Sequence, residues 1–166
     1  WKTKISVKEI TPPSLWRLSS CFDFIYLESI AFNTEKIKFT LRNATHIRNW
    51  ISASAKSDKR TIGNIDFIFC SDSFLLAINK KHLKHKALTD IITFDYSEGK
   101  AISGDILISI PRIKENAKLF NVSFREELNR VMIHGILHLC GYKGKTPSAK
   151  MEMTIKEDYY LHFRHF

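Results

Sequence analysis

Ser123-Phe-Arg-Glu126-Glu-Leu-Asn-Arg-Val-Met-Ile-His134-Gly-Ile-Leu-His138-Leu-Cys-Gly141-Tyr142 is the stretch on which the reading of this chain turns. Ser123 followed three positions later by Glu126 is a capping-box start, and Gly141 stands where a left-handed C-terminal cap is expected, so the segment between them reads as a helix. Leu128, Val131, Met132, Ile133, Ile136, Leu137 and Leu139 leave its second half little polar surface, which predicts a helix buried on most sides. His134 and His138 project from one face of it, one turn apart, the spacing by which a helix offers two nitrogens to one metal ion. The pattern alone also fits two core histidines. The apolar setting favours the metal, because burying two imidazoles among Ile and Leu is costly unless each finds a partner, and one ion satisfies both.

The same spacing occurs in the metallopeptidase pattern H-E-x-x-H-x-x-G-x-x-H. His134, His138 and Gly141 fall in register with it, but Gly135 occupies the glutamate position and Gly144 the third histidine. A peptidase of that class would lack its general base here. The stretch instead resembles the YbeY endoribonuclease signature H-G-x-L-H-L-x-G-Y-D-H at His134, Gly135, Leu137, His138, Leu139, Gly141 and Tyr142, and departs from it at Lys143 and Gly144. The resemblance extends upstream in order, through Asn79, the Thr89-Asp90 pair with Phe94, and Gly104-Asp105-Ile106. Where the family commonly has an arginine after Asn79, this chain has Leu83 with Lys84 beside it. A lysine supplies charge there without the two-pronged geometry of a guanidinium.

Composition agrees with one globular domain. A chain of 166 residues with 44% apolar content can bury a sizeable core, and a formal charge of +9 favours a polyanionic partner. That the partner is RNA is implied by the resemblance. No apolar run approaches the ~20 residues needed to span a bilayer, and no signal peptide is visible, which predicts a cytoplasmic protein without membrane contact. Cys21, Cys70 and Cys140 lack metal-type pair spacing and read as reduced thiols.

Along the chain, residues 1–25 read as a poorly packed N-terminal extension broken by Pro12-Pro13, and 26–166 as the YbeY-like domain. Alternation predicts a strand over 36–41, periodicity a helix from Asn43 to about Lys56, and apolar continuity a strand over 65–70. A helix capped by Ser71 or Asp72 with Phe74, Leu75 and Ile78 inward, a hairpin of 89–96 with 102–109, and a helix opened by Pro111 follow. Thr146-Pro147 starts a last amphipathic helix with Met151, Ile155, Tyr159 and Leu161 as its apolar set. The expectation is an α+β domain with a mixed sheet of about four strands, about five helices, and the histidine helix at its centre.

The resemblance implies a metal-dependent endoribonuclease that prefers single strands and acts on ribosomal RNA, with the RNA or the small ribosomal subunit as partner. One zinc ion would sit on His134 and His138, with the third ligand position unfilled at Gly144. Asp105 could orient an imidazole through its second ring nitrogen, or simply order the hairpin. Asp90 reads as a turn-forming aspartate. Lys80, Lys81, Lys84 and Lys86, interleaved with His82 and His85, would line an RNA-backbone groove; the alternative is a solvated face. His46, His162 and His165 read as surface residues, with His162, His165 and Glu152 the first candidates if another side chain completes the metal shell. A site short of one ligand leaves a second reading open, a ribosome-associated RNA-binding module with a structural metal or none, and no turnover.

Overall fold

A computed structural model describes residues 6–9, 29–83, 88–144, 146–164 and 166, with the backbone alone at 6–9 and 83. Strands β1 (Ser6–Glu9), β2 (Ser29–Glu35), β3 (Thr61–Cys70), β4 (Ile91–Asp95) and β5 (Ala101–Ser109) form one sheet in the order β1-β4-β5-β3-β2. Only β4 and β5 pair antiparallel; the other three pairings are parallel, so the sheet is mixed, as expected. The helices are α1 (Ala44–Ser57), α2 (Asp72–Ile78), α3 (Ile110–Leu119), α4 (Phe124–Leu139) and α5 (Pro147–His162). The α+β class, the five helices and the central position of α4 follow the sequence reading. The fifth strand is an addition: Ser6–Glu9, within the stretch read as an extension, lies along the outer edge of β4, and the rest of residues 1–25 is outside the described residues.

Helix α4 lies against β4 and β5 on one face of the sheet, with α1, α3 and α5 around it. Met132, Ile133, Ile136 and Leu137 are at most 1% exposed and meet Ile91, Ile102, Ile106 and Ile108 in the main core. Two motif glycines permit this approach. A Cβ on Gly135 would stand 2.9 Å from Cγ2 of Ile106 and 3.1 Å from Cδ1 of Ile91, and one on Gly104 would run into the carbonyl oxygen of Phe94 and the Leu139 side chain. The opposite face is covered by α2 and a smaller cluster of Cys70, Leu75, Ile92, Phe94 and Leu107. Cys70 and Cys140 are free and buried, and burial pushes each thiol up to about 12, so neither is a reactive thiolate. Cys21 lies outside the described residues.

The caps form where the sequence places them. Ser71, Ser123 and Thr146 each accept a hydrogen bond from the backbone N–H three residues on, Ser123 from Glu126 at 3.1 Å. Gly141 closes α4 with a φ of 105°.

Three expectations are corrected. Residues 36–41 are not a strand: the pairing strand is Ser29–Glu35, and it ends where Lys36 takes a φ of 56°. The alternation of Ile37, Phe39 and Leu41 is real as burial, since all three pack on the core from an unpaired segment, with the Phe39 ring 5.0 Å from that of Phe69. The helix after Ser71, expected to run to about Lys81, is α only to Ile78 and then widens into a π turn, Asn79–Leu83. In α5, Met151, Ile155 and Tyr159 face outward at 68%, 62% and 49% exposure, and the buried set is Met153, Glu157 and Tyr160. Its inner face is fixed by polar bonds to α1 and α4, including one from the Trp50 indole N–H to the Tyr160 carbonyl at 2.9 Å.

Candidate metal centre

His134 and His138 emerge from α4 with ring centroids 4.5 Å apart and planes at 80°. His138 is 7% exposed and the side chain of His134 13%. Each ring is held through Nδ1. The Nδ1–H of His134 donates to Oε1 of Glu157 at 2.5 Å, across from α5. The Nδ1–H of His138 donates at 2.8 Å to the carbonyl of Tyr142, which the turn at Gly141 brings back over the end of α4. With Nδ1 the donor in both rings, the Nε2 atoms carry the lone pairs. Both Nε2 atoms are buried and neither has a hydrogen-bond partner. Burial, with the charge of His134 adding to it, pushes His138 down to about 4, so its ring is neutral at physiological pH.

Glu157 is itself buried, and its Oε2 accepts from Nη1 of Arg130 at 3.3 Å. The same nitrogen of Arg130 donates to Asp158 at 2.7 Å, so three residues of α4 and α5 lock the carboxylate in place. Beside this lies a second cluster. Asp58, at the end of α1, accepts from the Lys156 ammonium at 2.6 Å and the Tyr142 hydroxyl at 3.1 Å, which ties the turn after α4 to α1 and α5.

Two buried, unpartnered ring nitrogens, on rings whose centroids lie 4.5 Å apart, are what a borderline-soft divalent ion takes, so the residues present fit a metal at two positions of its shell. Among the described residues, no group of three or more His, Cys, Asp or Glu is arranged to hold a metal ion, Glu157 being taken up by Nδ1 of His134 and by Arg130. Glu152 and His162 lie exposed on α5, and His165 is outside the described residues.

The orienting role considered for Asp105 is a correction. Along β5, Ile102, Gly104, Ile106 and Ile108 face α4, so Asp105 points to the other face, where it accepts from the Tyr96 hydroxyl at 3.1 Å. Glu157 and the Tyr142 carbonyl occupy that role instead. Asp90 is 3% exposed; its carboxylate accepts from Asn116 of α3 at 3.0 Å and its carbonyl from the Ser109 N–H at 2.8 Å, so it ties the start of β4 to α3 and the end of β5. Lys80 and Lys81 are exposed on the π turn, on the α2 side of the sheet, where the His82 ring meets that of Phe94 at 5.8 Å. Lys84, His85 and Lys86 lie outside the described residues. His46 is exposed, as expected.

Comparison with known proteins identifies relatives of the described domain. The family model described as Endoribonuclease YbeY matches residues 29–164. A Flavobacterium psychrophilum protein named Endoribonuclease YbeY is 51% identical over 136 residues, covering 82% of this chain and 96% of its own length. A Cytophaga hutchinsonii protein of the same name is 48% identical over 140 residues, covering 84% and 98%. A Thermotoga maritima protein solved in solution matches with a TM-score of 0.58 at 26% identity, covering 81% of this chain and 87% of its own. The matched span takes in every strand of the sheet but β1, all five helices, both histidines and the glutamate that holds one of them. This chain belongs to the YbeY endoribonuclease family.

Proposed function

We propose that this chain is a metal-dependent endoribonuclease that prefers single-stranded RNA and acts in ribosomal RNA maturation in the cytoplasm. One observation carries the reading: in a chain half identical to proteins named Endoribonuclease YbeY, two histidine rings with centroids 4.5 Å apart each keep a buried, unpartnered Nε2 and are fixed through the other nitrogen. His134 and His138 would hold a single zinc ion. Such an ion supplies Lewis-acid polarisation of a phosphoryl oxygen and acidification of water at neutral pH.

The protein's own part is to hold both imidazoles aimed. Glu157 and the Tyr142 carbonyl fix the tautomers, and the apolar packing around α4 lowers the local dielectric so that charges at the site act strongly. Lys80 and Lys81, with Lys84 and Lys86 following in sequence, would hold RNA backbone without reading its bases. The ribosomal RNA, free or in the small ribosomal subunit, is the proposed partner. Among the described residues no helix is long and apolar enough to cross a membrane.

Gly144 favours a second reading, an RNA-binding module without turnover, because a two-histidine site lacks the third protein ligand usual in catalytic zinc centres. Incubation of a single-stranded ribosomal RNA fragment with the purified protein separates the two. Cleavage that a chelator abolishes and added zinc restores is the expected result. Binding of the fragment with no cleavage, with or without added metal, overturns the enzyme reading in favour of the module.

A further inference from the structure

We infer that Glu157 is the positioning carboxylate of the metal centre: it sets His134 as a metal ligand and strengthens an ion site that has only two imidazoles to offer. The inference rests on the metal reading above and concerns a residue 23 positions away from the histidine motif, on a different helix.

A free neutral imidazole divides its proton between two nitrogens, and only the nitrogen without the proton can bind a metal. In His134 the division is settled by a short, 2.5 Å bond from Nδ1–H to a carboxylate, which as an ion can accept but not donate. The lone pair is thereby left on Nε2, which is buried and has no hydrogen-bond partner. The carboxylate does a second thing. An acceptor carrying negative charge draws the Nδ1 proton toward itself and raises electron density on the ring, so Nε2 becomes a stronger donor. His138 receives only the first effect, since its Nδ1–H donates to an uncharged carbonyl.

The arrangement around Glu157 is costly unless it serves something. Its side chain is 6% exposed, and burying a carboxylate is expensive even when it is paired. Arg130 meets Oε2 and is shared with the exposed Asp158, so the guanidinium neutralises and orients the carboxylate without competing for the oxygen that His134 uses. α5 is held in place by other contacts too, among them the buried Met153 and Tyr160 in the core and the Trp50 indole bond from α1. The carboxylate is therefore not needed to dock the helix. With Gly144 in the third ligand position, each remaining ligand's donor strength counts for more in the total affinity.

Glu157→Gln keeps the size and an acceptor but removes the charge, and its amide can instead donate to Nδ1, which moves the ring proton to Nε2 and blocks the ligand atom. Two readouts on the metal-free and zinc-titrated protein test the idea. Calorimetric titration with zinc should show affinity about tenfold weaker in Glu157→Gln, at the lower end of the 10–100-fold range for such partners. Nitrogen chemical shifts of the His134 ring in the metal-free protein should show Nε2 unprotonated in the wild type, and partly protonated in the variant. Arg130→Gln, which leaves the carboxylate in place, should weaken zinc by less than Glu157→Gln does. Equal zinc affinity and an unchanged tautomer in Glu157→Gln overturn the role of Glu157 alone. A wild-type protein that takes up no zinc overturns the metal centre itself, and this inference with it.

Discussion

Replacing Gly135 by alanine pits two effects of similar size against each other. In the interior of a helix, Gly→Ala ordinarily stabilises by about 1 kcal/mol, because alanine loses less backbone freedom on folding. Gly135, however, is the point at which α4 touches the sheet. The new methyl would lie 2.9 Å from Cγ2 and 3.1 Å from Cδ1 of Ile106, and 3.1 Å from Cδ1 of Ile91. The two Cδ1 atoms are the ends of side chains and can yield by rotation. Cγ2 of Ile106 cannot, because it branches at Cβ and a strand restricts its first torsion. Ile106 is 0% exposed and Ile91 1%, so α4 itself must lift by a few tenths of an ångström. Overpacking of that kind costs about 1–3 kcal/mol. The methyl therefore destabilises on balance by about 1 kcal/mol, equivalent to roughly 2–4 °C in Tm for a chain of this length. Urea denaturation followed by circular dichroism measures it as a lower midpoint at unchanged slope. A variant more stable than wild type by about 1 kcal/mol would show that propensity wins and that the glycine is not there for close packing. Zinc binding should weaken as well, since the lift moves His134 and His138 with the helix.

Gly104→Ala should be worse, at a loss of more than about 3 kcal/mol in the same denaturation assay, because the added methyl meets the Phe94 backbone carbonyl, which no rotamer can move. Gly144→His should tighten zinc by at least about tenfold, ~1.4 kcal/mol, by calorimetry. A Cβ there meets only Lys150 Cγ at 3.8 Å, an ordinary contact, and equal affinities would place the third ligand elsewhere in the chain. Removing charge at Lys80 and Lys81 together should flatten the salt dependence of RNA binding by on the order of one unit of log–log slope, at about 0.7 per single-strand phosphate contact; an unchanged slope makes these lysines a solvated face. Glu127 is buried, and desolvation first, then the nearby Asp90, raises its pKa, so ionising it costs the folded state stability as pH rises above the unfolded value of about 4.3. Glu127→Gln should accordingly raise Tm by a few degrees at pH 7, with the gain vanishing below pH 4, as read by thermal melts across pH.

The local features were legible because they are written in contiguous sequence. Ser123, Glu126 and Gly141 mark the ends of α4 through caps that involve residues three or four apart, and the density of apolar side chains between them announces its burial. Glu157 was not legible from the motif, since its partner lies on another helix; the signal available was the set Met153, Glu157 and Tyr160, one helical face with a carboxylate in it. Met151, Ile155 and Tyr159 form a rival face in the same helix, and periodicity cannot choose between two faces when polar bonds decide. Strand parity was there to read for Asp105, whose neighbours Gly104 and Ile106 face α4 and which must therefore face away. The segment 36–41 alternates as a strand does, but alternation reports burial on one side and says nothing about whether a neighbouring strand is available to pair.

Metal content of the purified protein and of His134→Ala and His138→Ala, measured by elemental mass spectrometry alongside circular dichroism, bears most directly on the central claim. The apolar core around α4 should keep both variants folded, because the main cluster does not depend on either imidazole. One zinc ion per wild-type chain and less than about a tenth of that in each folded variant is the expected result, since a single remaining imidazole would bind the ion far more weakly. Stoichiometric zinc retained by both folded variants would mean that the two Nε2 atoms are not where the metal sits.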